Sequence, residues 1–252
     1  MLPILMYHGL HAEPWQRGCF DAVYSVDPHA FERQLDWLVA DGWRTLRLRD
    51  VDARLPERSI VITFDDGDIS DFDMALPRLR ERGMTAEFFI TADFIGRPGR
   101  LGPAELRALA AAGMGIQSHG CTHKYLDDLS AVDMEAELLQ SKRRLEALVE
   151  REVSALALPG GRGGDRVRSA AWRIGYRHIL NSEPGCNAHW HGGYLQRLAI
   201  TRELPLHEFA QLVKWRGLRP HVLRARYRVL AQTKRLLGNQ RYERFRARLL
   251  TP

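Results

Sequence analysis

The stretch Ser59-Ile60-Val61-Ile62-Thr63-Phe64-Asp65-Asp66-Gly67-Asp68 sets the reading of the whole chain. Its first half is a short apolar run rich in β-branched residues, bounded by Pro56 and Gly67. That pattern predicts a buried strand. The run stops abruptly at two adjacent carboxylates and a glycine. In α/β sheets, open or closed, ligands and chemistry gather at the carboxyl ends of the strands. Carboxylates are costly to bury unless paired or bound to a metal, so two of them in a row do not belong to the core. A plain Asp-Gly turn closing a strand accounts for the same residues, and this stretch by itself leaves the two readings level.

A second stretch tips the balance. Gly115-Ile116-Gln117-Ser118-His119-Gly120-Cys121-Thr122-His123 carries another short strand into two histidines four residues apart. Such a pair is commonly a surface feature of a helix, but Gly115 and Gly120 argue against a helix here. The pair therefore belongs on a loop at a strand end. Two imidazoles and a carboxylate form a common catalytic zinc shell that leaves one position for water. Asp66, His119 and His123 would supply it.

The two stretches in this order resemble the polysaccharide deacetylases of the NodB-homology type, carbohydrate esterase family 4. The family's first motif, TFDDG, matches Thr63-Phe64-Asp65-Asp66-Gly67 in full. Its second, H(S/T)xxH, matches His119 and His123 in spacing, with Gly120 at the variable second position. The resemblance covers roughly residues 1–205. It implies an α/β fold, a distorted (β/α)7-type barrel, with Asp65 as general base and Asp66, His119 and His123 as ligands of a divalent metal. Zinc is the first choice for that ligand set, although it suits several divalent ions.

Two departures from the family pattern bear on the site. The third motif, RxPxG, carries an Arg that orients the catalytic Asp. The matching segment, Ala157-Leu158-Pro159-Gly160-Gly161, keeps the Pro and the last Gly and lacks the Arg. The fifth motif ends in a His that protonates the leaving group, whereas Leu195-Gln196-Arg197-Leu198-Ala199-Ile200 has no His. Arg197 is the candidate to reach Asp65 in place of the missing Arg; a surface ion pair is the plainer reading. For the acid, His189 and His191 lie just before this strand, and His191 is the choice between them. Both could equally be surface residues, with Asp65 acting as base and acid through water. His8, at the end of the first strand, either faces the site or makes a backbone hydrogen bond at the edge of the core; the sequence favours the second.

Length suits one α/β domain with a sizeable core, here 252 residues. The three cysteines, Cys19, Cys121 and Cys186, are odd in number and widely spaced, which argues against a disulfide framework. Cys121 reads as a small neutral filler between the candidate ligands. Leu2 to Met6 is too short for a signal peptide and has no basic leader. No stretch approaches the ~20 apolar residues of a membrane span. Cytoplasmic location is the resulting expectation.

Strands and helices alternate along the chain at the βα period. Leu2 to Gly9, Trp43 to Leu48, Thr85 to Thr91, Ala155 to Leu158, Tyr176 to Asn181 and Leu195 to Ile200 read as further strands. Asp27-Pro28 caps a helix running to Gly42. Ser70 to Arg82 reads as a helix kinked at Pro77, and Pro103 to Ala112 as another. Ser130 with Asp133 opens a long helix to about Val149, and Asp165 caps one to Ile174. The domain boundary falls near 205, with a basic helical extension over 206–252. Residues 214–252 hold twelve Lys or Arg against one acid, Glu243. Leu223, Tyr227, Leu230, Leu236 and Leu237 lie among them, and Gly238 separates a second short helix, Gln240 to Leu250. A basic amphipathic helix suits peripheral contact with an anionic membrane at its inner face; a solvated helix packed on the domain is the equal alternative. Nucleic acid is not expected, since no binding module accompanies the charge.

The implied reaction is hydrolysis of an N-acetyl group on an amino sugar, in a glycan or a lipid-linked glycan precursor. Trp43, Trp172, Trp190 and Trp215 could offer sugar-stacking surface, though most read as core. Two rivals remain at this level: a hydrolase of another small amide or cyclic imide on the same fold, and a catalytically degenerate glycan-binding protein. The losses in the third and fifth motifs favour the last; intact Asp65, Asp66, His119 and His123 oppose it.

Overall fold

Strand β3, Ser59–Asp65, is buried at every residue and lies at the centre of a parallel sheet. The computed structural model describes residues 1–51, 55–190 and 193–237, with side chains as far as 229. In chain order it forms β1 (Ile4–Tyr7), α1 (Pro28–Ala40), β2 (Arg44–Thr45), β3, α2 (Leu76–Glu81), β4 (Glu87–Ile90), α3 (Pro103–Ala111) and β5 (Gly115–Ser118). There follow α4 (Ala131–Val149), β6 (Ala155–Ala157), α5 (Asp165–Ile174), β7 (His178–Leu180), β8 (Tyr194–Leu195), β9 (Leu198–Ala199), α6 (Leu206–Val213) and α7 (Arg219–Leu237).

The strands run in the order β8-β7-β6-β5-β4-β3-β1-β9, with β2 paired to the start of β3. β8 and β9 stand at opposite ends of that order, yet only Gln196 and Arg197 separate them in sequence. From Leu195 to Leu198 the backbone reaches roughly 11 Å at most. The sheet therefore curls until its two edges face each other across this short link, giving the distorted barrel expected for the chain. The single strand expected over 195–200 is thus split in two, and Arg197 sits in the seam.

Alternation along the strands sorts side chains between two cores. Ile4, Val61, Phe89, Ala157 and Leu195 pack together inside the curl, while Leu5, Ile62, Phe64 and Phe88 pack outward against the helices. Thr63 and Asp65 share the parity of Val61, so Asp65 faces inward at the carboxyl end of the barrel.

The helices follow their local signals. Asp27 accepts from His29 N and Ala30 N, each at 3.0 Å, and Pro28 fills the first helical position of α1. Ser130 Oγ caps α4 through Asp133 N at 3.1 Å. The helix expected over Ser70–Arg82 begins instead as a wide π turn, Asp71–Ala75, and narrows to α2 at Leu76. Pro77 has no N–H to give the preceding turn, and the widened turn absorbs the misfit. The strand expected over Trp43–Leu48 pairs only at Arg44 and Thr45. There the chain turns away so that Leu48 N can donate to the buried Glu87 Oε1 at 2.8 Å. Beyond 205, α6 packs Phe209, Leu212 and Val213 into the outer core. The second basic helix expected at Gln240–Leu250 lies outside the described residues. The three cysteines are free.

Candidate active site

Asp65 ends β3 on the inner face, buried at 2 % exposure. Its partner comes from the seam. Arg197 Nη1 donates to Asp65 Oδ1 at 2.7 Å and Nη2 to Oδ2 at 2.8 Å, the two-pronged geometry that a guanidinium alone can offer a carboxylate. Arg197 is itself fully buried. Its Nε donates to Asn181 O at 2.9 Å, and its Nη1 also meets Thr63 Oγ1 at 3.3 Å. Burial pushes the Asp65 carboxyl up, but the Arg197 guanidinium and then His119 outweigh it and bring it down to about 2.

Asp66 takes the next position with φ +75°, a left-handed conformation that turns its side chain out of the strand and towards β5. Gly67 follows at φ +70°; a Cβ there would meet Ile90 Cδ1 at 3.1 Å, so both conformation and space call for glycine. Asp66 Oδ1 lies 3.5 Å from His119 Nε2 and 3.3 Å from His123 Nε2. It is buried and makes no hydrogen bond. One candidate ligand atom from each of the three residues lies within 4.8 Å of the others.

His119 extends from the end of β5, and its Nδ1 lies 2.9 Å from Ala157 O. A carbonyl only accepts, so Nδ1 carries the proton and Nε2 presents its lone pair to the site. Burial lowers the His119 imidazole below its ordinary value, against the pull of Asp65 and Asp66. His123 closes the intervening loop at φ +63°. That loop is held from α4: Glu137 accepts from Cys121 N at 2.8 Å, Thr122 N at 3.0 Å and Thr122 Oγ1 at 2.6 Å. Cys121 is buried, its thiol pushed up to about 11 by burial and then by Glu137.

A cleft of about 240 Å³ opens beside Asp65 and Asp66 and is walled by His8, Cys19, Tyr24 and Arg100. His8 faces this cleft and does not make the core-edge bond that the sequence favours. Its ring stacks on Tyr24 at 4.7 Å, and its Nδ1 is buried with no hydrogen-bond partner. Burial lowers the His8 imidazole, with Asp65 and Asp66 drawing it upward. Its place directly after Tyr7 at the end of β1 is the one local signal for it. His189 is exposed on its loop, and His191 lies outside the described residues. Of the tryptophans, Trp43 and Trp215 pack against the outer core and Trp190 against the inner one, while Trp172 is partly exposed.

The arrangement places a held, ionised carboxylate beside three converging ligand atoms at the mouth of a cleft. Comparison with known proteins agrees with that chemistry. Residues 52–179 match the family model described as polysaccharide deacetylase. YxkH of Bacillus subtilis, a polysaccharide deacetylase by name, is 28 % identical over 207 residues, covering 79 % of this chain and 71 % of its own. The poly-beta-1,6-N-acetyl-D-glucosamine N-deacetylase of Staphylococcus epidermidis is 33 % identical over 78 residues, 29 % of this chain and 27 % of its own. Among solved structures, the polysaccharide deacetylase BC0361 of Bacillus cereus superposes with a TM-score of 0.77 at 25 % identity, over 84 % of this chain and 68 % of its own. The deacetylase PplD of Streptococcus pyogenes gives 0.76 at 23 % identity, over 84 % and 97 %, a likeness of fold.

Proposed function

Because this chain belongs to the polysaccharide deacetylase family, we propose that it hydrolyses the N-acetyl group of an amino sugar within a glycan, with a divalent metal held by Asp66, His119 and His123. The observation that carries this reading is the buried, unpartnered Asp66 Oδ1 facing the lone pair of His119 Nε2. A buried carboxylate oxygen without a partner is costly, and a cation seated between it and the two imidazoles removes that cost. The donor set suits zinc first. A divalent ion there supplies Lewis-acid polarisation of a carbonyl and acidification of water.

The chain's own residues supply the rest. Asp65 takes a proton from the water that adds to the acetamide carbonyl carbon. Arg197 holds that carboxylate ionised and fixes its direction. When the C–N bond breaks, the leaving nitrogen needs a proton, since an amide anion is not a viable leaving group in water. Among the described residues, His8 lines the same cleft, and its imidazolium form gives that proton and regains it from water. Acetate and a free amine result.

The basic helix α7 supports a substrate presented at an anionic membrane surface, such as a lipid-linked glycan precursor, and a cytoplasmic site of action. One side of α7 rests on the domain through Leu223, Arg224 and Arg228, the two arginines pairing with Glu183. Leu218 just before the helix is 82 % and Val222 within it 59 % exposed beside Arg219 and Arg226, an apolar strip flanked by positive charge that suits a membrane surface. No described helix is long and apolar enough to cross one. Salt-sensitive sedimentation of the full chain with phosphatidylglycerol vesicles, and not with phosphatidylcholine vesicles, is the expected result.

Acetate release tests the main reading. N-acetylated glycans and lipid-linked sugars are incubated with the metal-loaded protein, the metal-stripped protein and Asp65→Asn. Release that requires metal and vanishes with Asp65→Asn is expected. A protein that binds no metal and releases no acetate would instead be a glycan-binding member of the family.

A further inference from the structure

Four carboxylates, Asp21, Asp65, Asp66 and Asp68, line the cleft. Asp65 is engaged by Arg197. Asp68 accepts from Cys19 N at 2.6 Å and from Ser70 N and Oγ at 2.9 and 2.6 Å, and faces His11 Nε2 at 3.3 Å. Asp21 accepts from Val23 N and Tyr24 N at 2.7 and 2.8 Å. Asp66 faces the two imidazoles. Among the described residues, Arg100 is the cation left over in this wall. Its Nη1 donates to the main-chain carbonyl of Asp66 at 3.3 Å, and its guanidinium lies 4.8 Å from the centre of the Phe94 ring. Phe94 in turn lies flat beside His123, at 6.1 Å and 27°. Among the described residues no carboxylate forms an ion pair with Arg100.

This placement has a cost. A fixed positive charge beside a metal-ligating carboxylate works against the cation that the carboxylate has to hold. The guanidinium is partly exposed, oriented by the Phe94 face and one carbonyl, and uses one of its five donors in doing so. Its remaining donors are available at a fork geometry matched to carboxylate and phosphate. Its bond to the Asp66 backbone puts it in the same cleft wall as Asp65 and Asp66.

We propose that Arg100 is an anion-recognising residue of the substrate cleft, selecting glycans whose N-acetylated sugar carries, or directly adjoins, a carboxylate or a phosphate. The inference rests on the deacetylase reading of this cleft and narrows its substrate class to anionic glycans. A uronic acid neighbour and a glycosyl phosphate offer the same chemistry to the guanidinium, and the test separates them.

Ligand-observed NMR titration of the zinc-loaded full chain gives dissociation constants for three probes: neutral chitotetraose, a hyaluronan tetrasaccharide carrying uronates, and UDP-N-acetylglucosamine carrying phosphates. The released acetate methyl signal appears in the same spectra. Wild type is expected to bind at least one anionic probe about tenfold or more tightly than chitotetraose, in line with a charged hydrogen bond. Arg100→Gln removes that margin and leaves chitotetraose within about twofold, while Arg100→Lys, a point charge without the fork, keeps part of it. Preference for hyaluronan assigns a uronate, and preference for the nucleotide sugar a phosphate. The proposal is overturned if wild type binds neither anionic probe more tightly than chitotetraose. It is equally overturned if Arg100→Gln weakens all three probes alike, which would make Arg100 a support for the Asp66 backbone only, or leaves all three unchanged. Absence of acetate from every probe bears on the deacetylase reading; the order of dissociation constants bears on Arg100.

Discussion

Arg197 and Asp65 meet through two parallel hydrogen bonds of 2.7 and 2.8 Å although they stand 132 positions apart in sequence. The pair joins the end of β3 to the seam between β8 and β9, so one ion pair both closes the barrel and aims the proposed base. Both side chains are buried, and each would be costly without the other.

Arg197→Lys tests the aiming role. A lysine keeps the charge but cannot make two parallel bonds or reach Asn181 O at the same time. The expected result is a fall in kcat of about 10²-fold from misplacement of the base, with KM nearly unchanged. Turnover close to wild type would remove Arg197 from the mechanism. Arg197→Met is expected to destabilise the fold by about 3–5 kcal/mol, since it leaves Asp65 buried and unpaired.

His8→Ala should lower kcat by about 10²–10⁴-fold if His8 protonates the leaving nitrogen. Zinc affinity should not change, because His8 is not among the converging ligand atoms. His189→Ala, at an exposed loop position, should leave the rate as it is. Equal rates for His8→Ala and wild type would return the acid role to His191 or to Asp65 acting through water.

The two motif strands are legible because each is a short apolar run ending in chemistry-bearing residues and glycine, and the structure puts both ends on one face. The convergence of Asp66, His119 and His123 follows from that. The seam is not legible in the same way. Leu195 to Ile200 has the composition of one strand, and only the missing Arg at Ala157 hinted that Arg197 had business inside. At His8 the sequence misleads for a different reason. A histidine at a strand end carries the same local signal whether it turns to core or cleft, and its direction is set by Tyr24 from a distant loop. Glu137 gave no signal at all: on α4 it resembles the other acids of a solvated helix face.

That glutamate carries a prediction about the metal. Glu137 receives two backbone N–H groups and one hydroxyl from the loop between His119 and His123. Glu137→Ala leaves those donors without their acceptor and frees the loop that fixes His123. Zinc affinity should fall by about 10–100-fold, the usual cost of losing an outer-shell partner, as read by chelator competition. Thr122→Ala, which removes one of the three bonds, should lose less. Unchanged affinity in Glu137→Ala, with the fold merely less stable, would show that the loop holds its shape without α4.

Asp71 gives the molecule a pH dependence of its own. It is fully buried in the π turn, and neither side-chain oxygen has a hydrogen-bond partner. Burial, reinforced by the Asp68 carboxylate, raises its pKa well above the ordinary value. The unfolded chain gives up this proton near pH 4, while the folded chain keeps it to higher pH. Between those two values the native state holds the extra proton, so its stability falls as pH rises. The stabilising contribution is complete below about pH 4. It drains at up to about 1.4 kcal/mol per pH unit inside the window. For a chain of this size each kcal/mol moves the melting temperature by about 2–4 °C. Asp71→Asn keeps the shape and cannot ionise, so its melting temperature should decline less than that of wild type as pH rises from 4 towards 7. Parallel curves for the two proteins across that range would mean that Asp71 ionises in the folded state as readily as in the unfolded one.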